Sequence, residues 1–252
     1  MELTDALFKY CLRQADNTLV IGHRLSQWCG HGPILEEDIA MTNIALDLIG
    51  QSRMFYQYAG EIENKGRTED GLAYLRNDRE YRNTLLTEQP NGDFGKTMMR
   101  QFLFDTYQVL FFNALSESMD KKLSAIAQKS LKESKYHFRH SSNWVIRLGD
   151  GTEESHNKVQ DSLNDLWRFT DELFEMNEID EILLKKKIAV DLYKLKPEWN
   201  KKIHEVLQEA KLQVPENTFM ATGSREGKHS EHLGYMLAEM QYLQRAFPGA
   251  TW

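Results

Sequence analysis

Four acidic residues fall near the middles of four long predicted helices: Asp16, Asp47, Asp105 and Glu133. Carboxylates at one level of four packed helices form the ligand layer of a di-iron bundle. That ligand set also needs Glu-x-x-His on two helices, because i, i+3 spacing puts carboxylate and imidazole on one face. Here Gly50 stands three residues after Asp47, and Tyr136 three after Glu133. Three of the four acids are Asp, which reaches roughly 1.5 Å less far than Glu, about one residue of helical rise. Metal–ligand distances tolerate only about 0.2 Å of error. The chain therefore reads as a metal bundle that has lost its metal. No catalytic residue, metal ligand or bound cofactor is assigned to it.

His137 follows Glu133 by four residues and shares its predicted face. A histidine hydrogen-bonded within the bundle or at its surface is the first reading, and metal ligation by the pair is the second. An unpaired buried carboxylate is costly, so the acids need partners. Arg53, Lys132 and Arg139 stand within one or two turns and are the expected ones. A hydrogen-bonded polar layer, the remnant of a ligand shell, is the expectation. An atypical site built from Asp47, Asp105, Glu133 and His137 is the enzymatic alternative.

A second group of chemistry-bearing residues lies near the C-terminal end. Arg225 and Lys228 flank glycines in a loop before the last predicted helix, where backbone amides and cations suit a phosphate. A solvated loop is the plainer reading. His229 and His232 stand at i, i+3, but no thiolate or Glu-x-x-His partner is evident nearby, so metal binding there is disfavoured. Lys185-Lys186-Lys187 reads as a solvated face. No phosphate-loop, dinucleotide or nucleophile-elbow motif occurs.

The elements that must position these residues are helical throughout. Apolar residues at helical spacing predict helices over about 4–28 and 36–60. Shorter pieces follow at 72–75 and 78–87. Asp93 and Asp120 are predicted N-caps of helices reaching Ser118 and Leu148, the second closed by Gly149. Thr152 opens a fifth helix to about Phe174. The stretch 175–195 is less regular. Pro197 suits the first turn of a sixth helix ending near Ala210, before the break at 214–217. A last amphipathic helix spans about 230–245. No alternating strand pattern, repeat or domain boundary appears. The fold class is all-α: one ferritin-like four-helix bundle over residues 1–252, with additional C-terminal helices.

Composition excludes several function classes. The 252 residues carry 31 basic and 38 acidic side chains, a net charge of −7, which disfavours nucleic acid and anionic membranes as partners. The apolar runs are too short to span a bilayer, and the start has no basic segment leading into an apolar one. Cys11 and Cys29 fit no zinc spacing and read as small buried residues of a reduced, cytoplasmic protein.

Several segments together carry a resemblance. They are Arg24-Leu25-Ser26-Gln27-Trp28-Cys29-Gly30-His31, Ala45-Leu46-Asp47-Leu48-Ile49-Gly50-Gln51, Glu88-Gln89-Pro90-Asn91-Gly92, Leu166-Trp167-Arg168-Phe169-Thr170, the run 232–244, and Pro248-Gly249 with Trp252. With these the chain resembles the C-subunit family of bacterial phenylacetyl-CoA epoxidases. The resemblance implies a ferritin-like, non-catalytic partner of an A subunit that holds the di-iron centre. A B subunit and a flavin/iron–sulfur reductase would complete the complex. Arg225 and Lys228 would then be candidates for contacting CoA phosphates, and a CoA-binding module is a further alternative. The first two long helices and the last one, with Met236, Met240 and Tyr242, are the expected partner surface; a homodimer in isolation stays open.

Overall fold

Two helices in this chain are buried around nearly their whole circumference, and the rest of the fold is arranged about them. They are α1 (Leu3–Ser26) and, later in the chain, the helix Phe94–Leu115. The computed structural model describes residues 1–216 and 218–250, and among them no strand occurs. In chain order α1 is followed by α2 (Leu35–Glu63), α3 (Glu69–Tyr74), α4 (Leu85–Glu88), α5 (Phe94–Leu115) and α6 (Lys121–Gly149). Then come α7 (Glu153–Trp167), α8 (Glu178–Leu184), α9 (Leu192–Glu209), α10 (Glu231–Met240) and α11 (Tyr242–Ala246). Short links fold α1 onto α2 and α5 onto α6 as two hairpins, and the crossover 64–93 joins them. Two hairpins with one long crossover are the ferritin-like arrangement. Trp252 and Asn217 lie outside the described residues.

The helix starts follow local chemistry. The Asp93 carboxylate accepts the Lys96 amide at 2.8 Å, and Asp120 accepts those of Lys122 and Leu123. Thr152 accepts the Ser155 amide at 3.2 Å. Each takes up a donor that the first turn leaves unpaired. Asp38 in the first turn of α2 accepts the amides of Gly30 and Gly32, clamping the turn after α1. Within the first hairpin, a Cβ on Gly22 would stand 3.2 Å from the Leu48 Cβ, so the glycine permits close approach of α1 to α2.

Several sequence expectations need correction. The fifth helix stops at Trp167, and a separate 3₁₀ turn covers Asp171–Phe174. The irregular stretch contains α8, capped by Asn177 and Asp180 together. Pro197 lies inside α9, beyond the first turn, because the helix begins at Leu192. The last helix breaks at Gln241, whose buried amide donates to the Ala73 and Arg76 carbonyls and to the Tyr81 hydroxyl. Gly149 is the last residue of α6 rather than a left-handed cap; its role is contact, since a Cβ there would lie 2.4 Å from the Ala210 carbonyl oxygen.

One face of α1 is unusual for a buried helix. Arg13, Asp16, Asn17 and Arg24 recur at helical spacing and are all buried. Each bonds to an element outside the four long helices. Arg13 forms a bidentate pair with Asp180 of α8 at 2.9 and 2.6 Å. Asn17 accepts the Thr84 amide at 2.7 Å. Arg24 donates to the Glu88 and His232 carbonyls at 3.0 Å. Polar residues on this face thus dock the crossover and the C-terminal helices onto the bundle. Three of the resembling segments (24–31, 88–92 and 232–244) meet at Arg24.

Candidate functional site

Asp16 on α1 does not join the other acids. Its carboxylate accepts the Tyr56 hydroxyl at 2.5 Å, Arg76 Nη1 at 3.1 Å and the Arg82 amide at 2.8 Å, with Arg76 Nη2 on the remaining side. Arg76 comes from the crossover and lies over the Tyr81 ring, 4.3 Å from its centroid. It donates as well to the carbonyls of Leu72 and Glu80. Asp16 therefore spends its lone pairs on a guanidinium, a phenol and a backbone amide.

The other three acids lie on α2, α5 and α6, each bonded to a different side chain. Asp47 Oδ2 lies 3.1 Å from His137 Nε2. Gln51 Nε2 donates to Glu133 at 2.9 Å. Ser141 donates to Asp105 Oδ2 at 2.8 Å. Elsewhere on α6, His140 Nε2 approaches Glu37 at 2.7 Å and ties the helix to the start of α2. The expected cationic partners are not the ones used. Arg53 reaches out to Glu69 at 3.2 Å, and neither Lys132 nor Arg139 makes a salt bridge among the described residues. The reason lies in the faces they occupy: Arg53, Lys132 and Arg139 point away from the core, while Gln51, His137 and Ser141 are buried.

The i, i+3 comparison looks different in three dimensions. The Asp47 side chain is 40% exposed, so it sits at the margin of the bundle rather than at its centre. A Cβ on Gly50 would meet nothing within 4 Å, and Tyr136 is 41% exposed. Both positions face outward. The inward residues are Gln51 and His137, four residues after each acid and both fully buried. Sequence reasoning named His137 and missed Gln51 and Ser141 as partners of the acids, because uncharged polar residues carry no charge signal to mark them.

Electrostatics follow from this burial. Desolvation pushes the Asp105 carboxyl up to about 6, against the opposing pull of His137, Ser141 and Arg100. Asp105 Oδ1, His137 Nδ1 and Gln51 Oε1 are buried without a protein partner. A di-metal centre needs carboxylates from all four helices to converge on one space. Here one is held by Arg76, one lies at the margin and two are bonded to Gln51 and Ser141. Among the described residues no three His, Cys, Asp or Glu side chains come together as a metal site. The residues do not fit the group, and no reaction step follows from them.

The loop cations separate. Arg225 is packed inward with its Nε and Nη1 buried, whereas Lys228 is 74% exposed and pairs with Glu226 at 2.6 Å. The structure does not bring them to one phosphate. His229 is engaged at both ring nitrogens, by Glu88 at 2.8 Å and the Tyr81 carbonyl at 3.0 Å. It pins the loop to the crossover, which leaves no nitrogen for a metal shared with His232. Cys11 is buried as expected, but Cys29 lies in the exposed turn after α1. Met236 belongs to the core, Met240 packs partly against it, and Tyr242 is exposed. No helix is long and apolar enough to cross a membrane among the described residues.

Fold and side chains together define a ferritin-like helical bundle whose mid-helix acids are each bonded to other side chains of the chain. The chain belongs to the family described as Phenylacetic acid catabolic protein, which matches it over residues 1–252. It is 49% identical over 246 residues to the C subunit of the 1,2-phenylacetyl-CoA epoxidase of Escherichia coli (strain K12). That match covers 98% of this chain and 99% of the relative.

Proposed function

We propose that this chain is the non-catalytic C-type subunit of a multicomponent phenylacetyl-CoA 1,2-epoxidase in aerobic phenylacetate catabolism. It pairs with a catalytic A subunit that holds the di-iron centre, and serves there as one ferritin-like unit. It carries no cofactor of its own. A B subunit and a flavin/iron–sulfur reductase complete the assembly, in the cytoplasm. The observation that carries this reading is the engagement of Asp16 by Arg76, together with outward-facing Gly50 and Tyr136 at the two histidine positions. A bundle that cannot gather ligands keeps its surface, and a stable partnership needs roughly 800 Å² of it on each side.

A row on α2 supports the same reading. Leu35, Ile39 and Leu46 are 72%, 53% and 61% exposed and share one face at helical spacing. Apolar side chains aligned on a long helix suit a second helical protein.

The test is co-purification with the A subunit, followed by iron analysis of each protein alone and of the pair. A stable complex whose iron and epoxidase activity follow the A subunit supports the reading. Stoichiometric iron in this chain alone, or no association at micromolar concentration, rejects it.

A further inference from the structure

The second hairpin buries polar residues where two long helices would ordinarily bury apolar ones. Gln101, Asp105 and Gln108 follow at i, i+4 and i+7 on α5. Ser130, Ser134, His137 and Ser141 follow at i, i+4, i+7 and i+11 on α6. Each set occupies one narrow stripe of its helix, and every member is buried. The 2.8 Å bond from Ser141 to Asp105 sets the two stripes against each other. One turn away the Phe102 and Phe138 rings stack, 6.3 Å between centroids, and fix the same antiparallel register. Among the described residues, Ser141 to Asp105 is the one direct hydrogen bond between the stripes.

The other groups on these stripes reach no protein partner. Both ends of the Gln101 amide, Asp105 Oδ1, Gln108 Oε1, the Ser130 and Ser134 hydroxyls and His137 Nδ1 are buried and unbonded. An unpaired buried polar atom is costly and rare, so this many on two facing stripes are not scattered defects. Side chains that touched across the seam would bond to each other, and short serines opposite the glutamines keep them apart. The lining identifies what lies between. Gln101 offers a donor and an acceptor, each serine hydroxyl offers both, and Asp105 Oδ1 and Gln108 Oε1 accept. A bare cation would leave the donors idle, and an anion would leave the acceptors idle. Water donates and accepts at once, and buried water bonds to polar groups of this kind. The seam also has a way out. His137 is fully buried, its Nε2 lies 3.1 Å from Asp47, and the Asp47 side chain is 40% exposed.

We propose that the α5–α6 seam binds a file of ordered water molecules, which joins the buried Asp105 carboxylate to solvent through His137 and Asp47. From Ser130 to Ser141 the file runs along about 16 Å of helix. The Ser134 and Gln108 groups anchor it in the middle, and Gln101 anchors it beyond Asp105. The assignment is independent of subunit pairing, since it rests on the interior of this chain.

Magnetic relaxation dispersion of oxygen-17 water on the full chain tests it, because the amplitude counts waters held longer than the protein takes to tumble. The double variant Gln108→Met, Ser134→Ala keeps the side-chain volume nearly constant and removes two anchors. Its amplitude should fall below that of wild type. Its melting temperature should fall by about 2–4 °C, even though alanine favours a helix more than serine does. An unchanged amplitude overturns the proposal. An equal or higher melting temperature overturns it too, since taking polar groups out of a dry seam relieves the cost of burying them. If the double variant does not fold, a crystal structure of the wild-type chain decides. Ordered solvent bonded to Gln101, Gln108 and Ser134 supports the file, and side chains bonded directly across the seam refute it.

Discussion

Arg76 and Asp16 form a buried ion pair between the crossover and α1, at 3.1 Å through Nη1, with 4% and 0% of the two side chains exposed. A carboxylate in that pairing cannot also serve a metal. The pair instead ties the segment between the hairpins to the inner helix.

The energetics of such a pair are asymmetric. Removing one member strands the other charge in a dry environment, which costs about 3–5 kcal/mol. Asp16→Ala and Arg76→Ala should each lower the unfolding free energy by that amount in urea titrations. The double variant Asp16→Leu, Arg76→Met should lose clearly less than the sum, because no charge is stranded. Single variants within about 1 kcal/mol of wild type would contradict the clasp role.

Asp105 behaves in the opposite sense. Burial raises its carboxyl from 3.8 to about 6, so the folded chain holds this proton more tightly than the unfolded chain does. The stability this contributes is present below about pH 4 and is lost as pH rises through about 6. Above that range the fold carries a buried charge at a cost of about 3 kcal/mol. Asp105→Asn keeps an acceptor for Ser141 and removes the charge. It should raise the melting temperature near neutral pH and flatten the stability profile between about pH 4 and 7. Equal pH profiles for the two proteins would show that the charge is compensated.

How much of this is readable from sequence depends on what carries the signal. The long helices are legible because apolar periodicity and the caps Asp93, Asp120 and Thr152 are local. That no Glu-x-x-His follows Asp47 or Glu133 is legible at Gly50 and Tyr136, but that both positions face outward is not. Nor is the direction of Asp16. The polar residues of α1 share one face, but only the packing of the crossover shows what that face meets and that Asp16 turns toward Arg76. The same limit hides Arg13–Asp180, whose partners lie 167 residues apart. Cys29 departs from its expected burial because the helix before it ends at Ser26, which leaves the thiol in the turn.

Two glycines give opposite predictions for one substitution. Alanine stabilises a helix interior over glycine by about 1 kcal/mol. At Gly50 the new methyl group meets open space, so Gly50→Ala should stabilise the isolated chain by up to that amount. At Gly149 it would stand 2.4 Å from the Ala210 carbonyl oxygen and 2.8 Å from the Ala210 Cβ. Backbone cannot rotate aside as a flexible side chain can, and overpacking costs about 1–3 kcal/mol. The clash exceeds the propensity gain, so Gly149→Ala should destabilise the contact between the ends of α6 and α9. Thermal unfolding of the two variants side by side reads the sign directly.

The α2 row gives a prediction that separates folding from association. Ile39 and Leu46 are exposed and lie apart from the buried pairs that hold the bundle, so charge at either position costs the isolated fold little. At a protein interface the same change buries an unmatched guanidinium against apolar surface. Ile39→Arg and Leu46→Arg should therefore leave the melting temperature within a few degrees of wild type. They should weaken association with the A subunit by at least tenfold, about 1.4 kcal/mol. Glu205→Gln, on the exposed side of α9, shifts the net charge by the same sign and amount as each arginine and serves as a control for charge change alone. Titration calorimetry on the three variants checks the point. Association that survives both arginines undiminished would move the contact surface away from α2, while parallel loss in the α9 control would assign the effect to net charge.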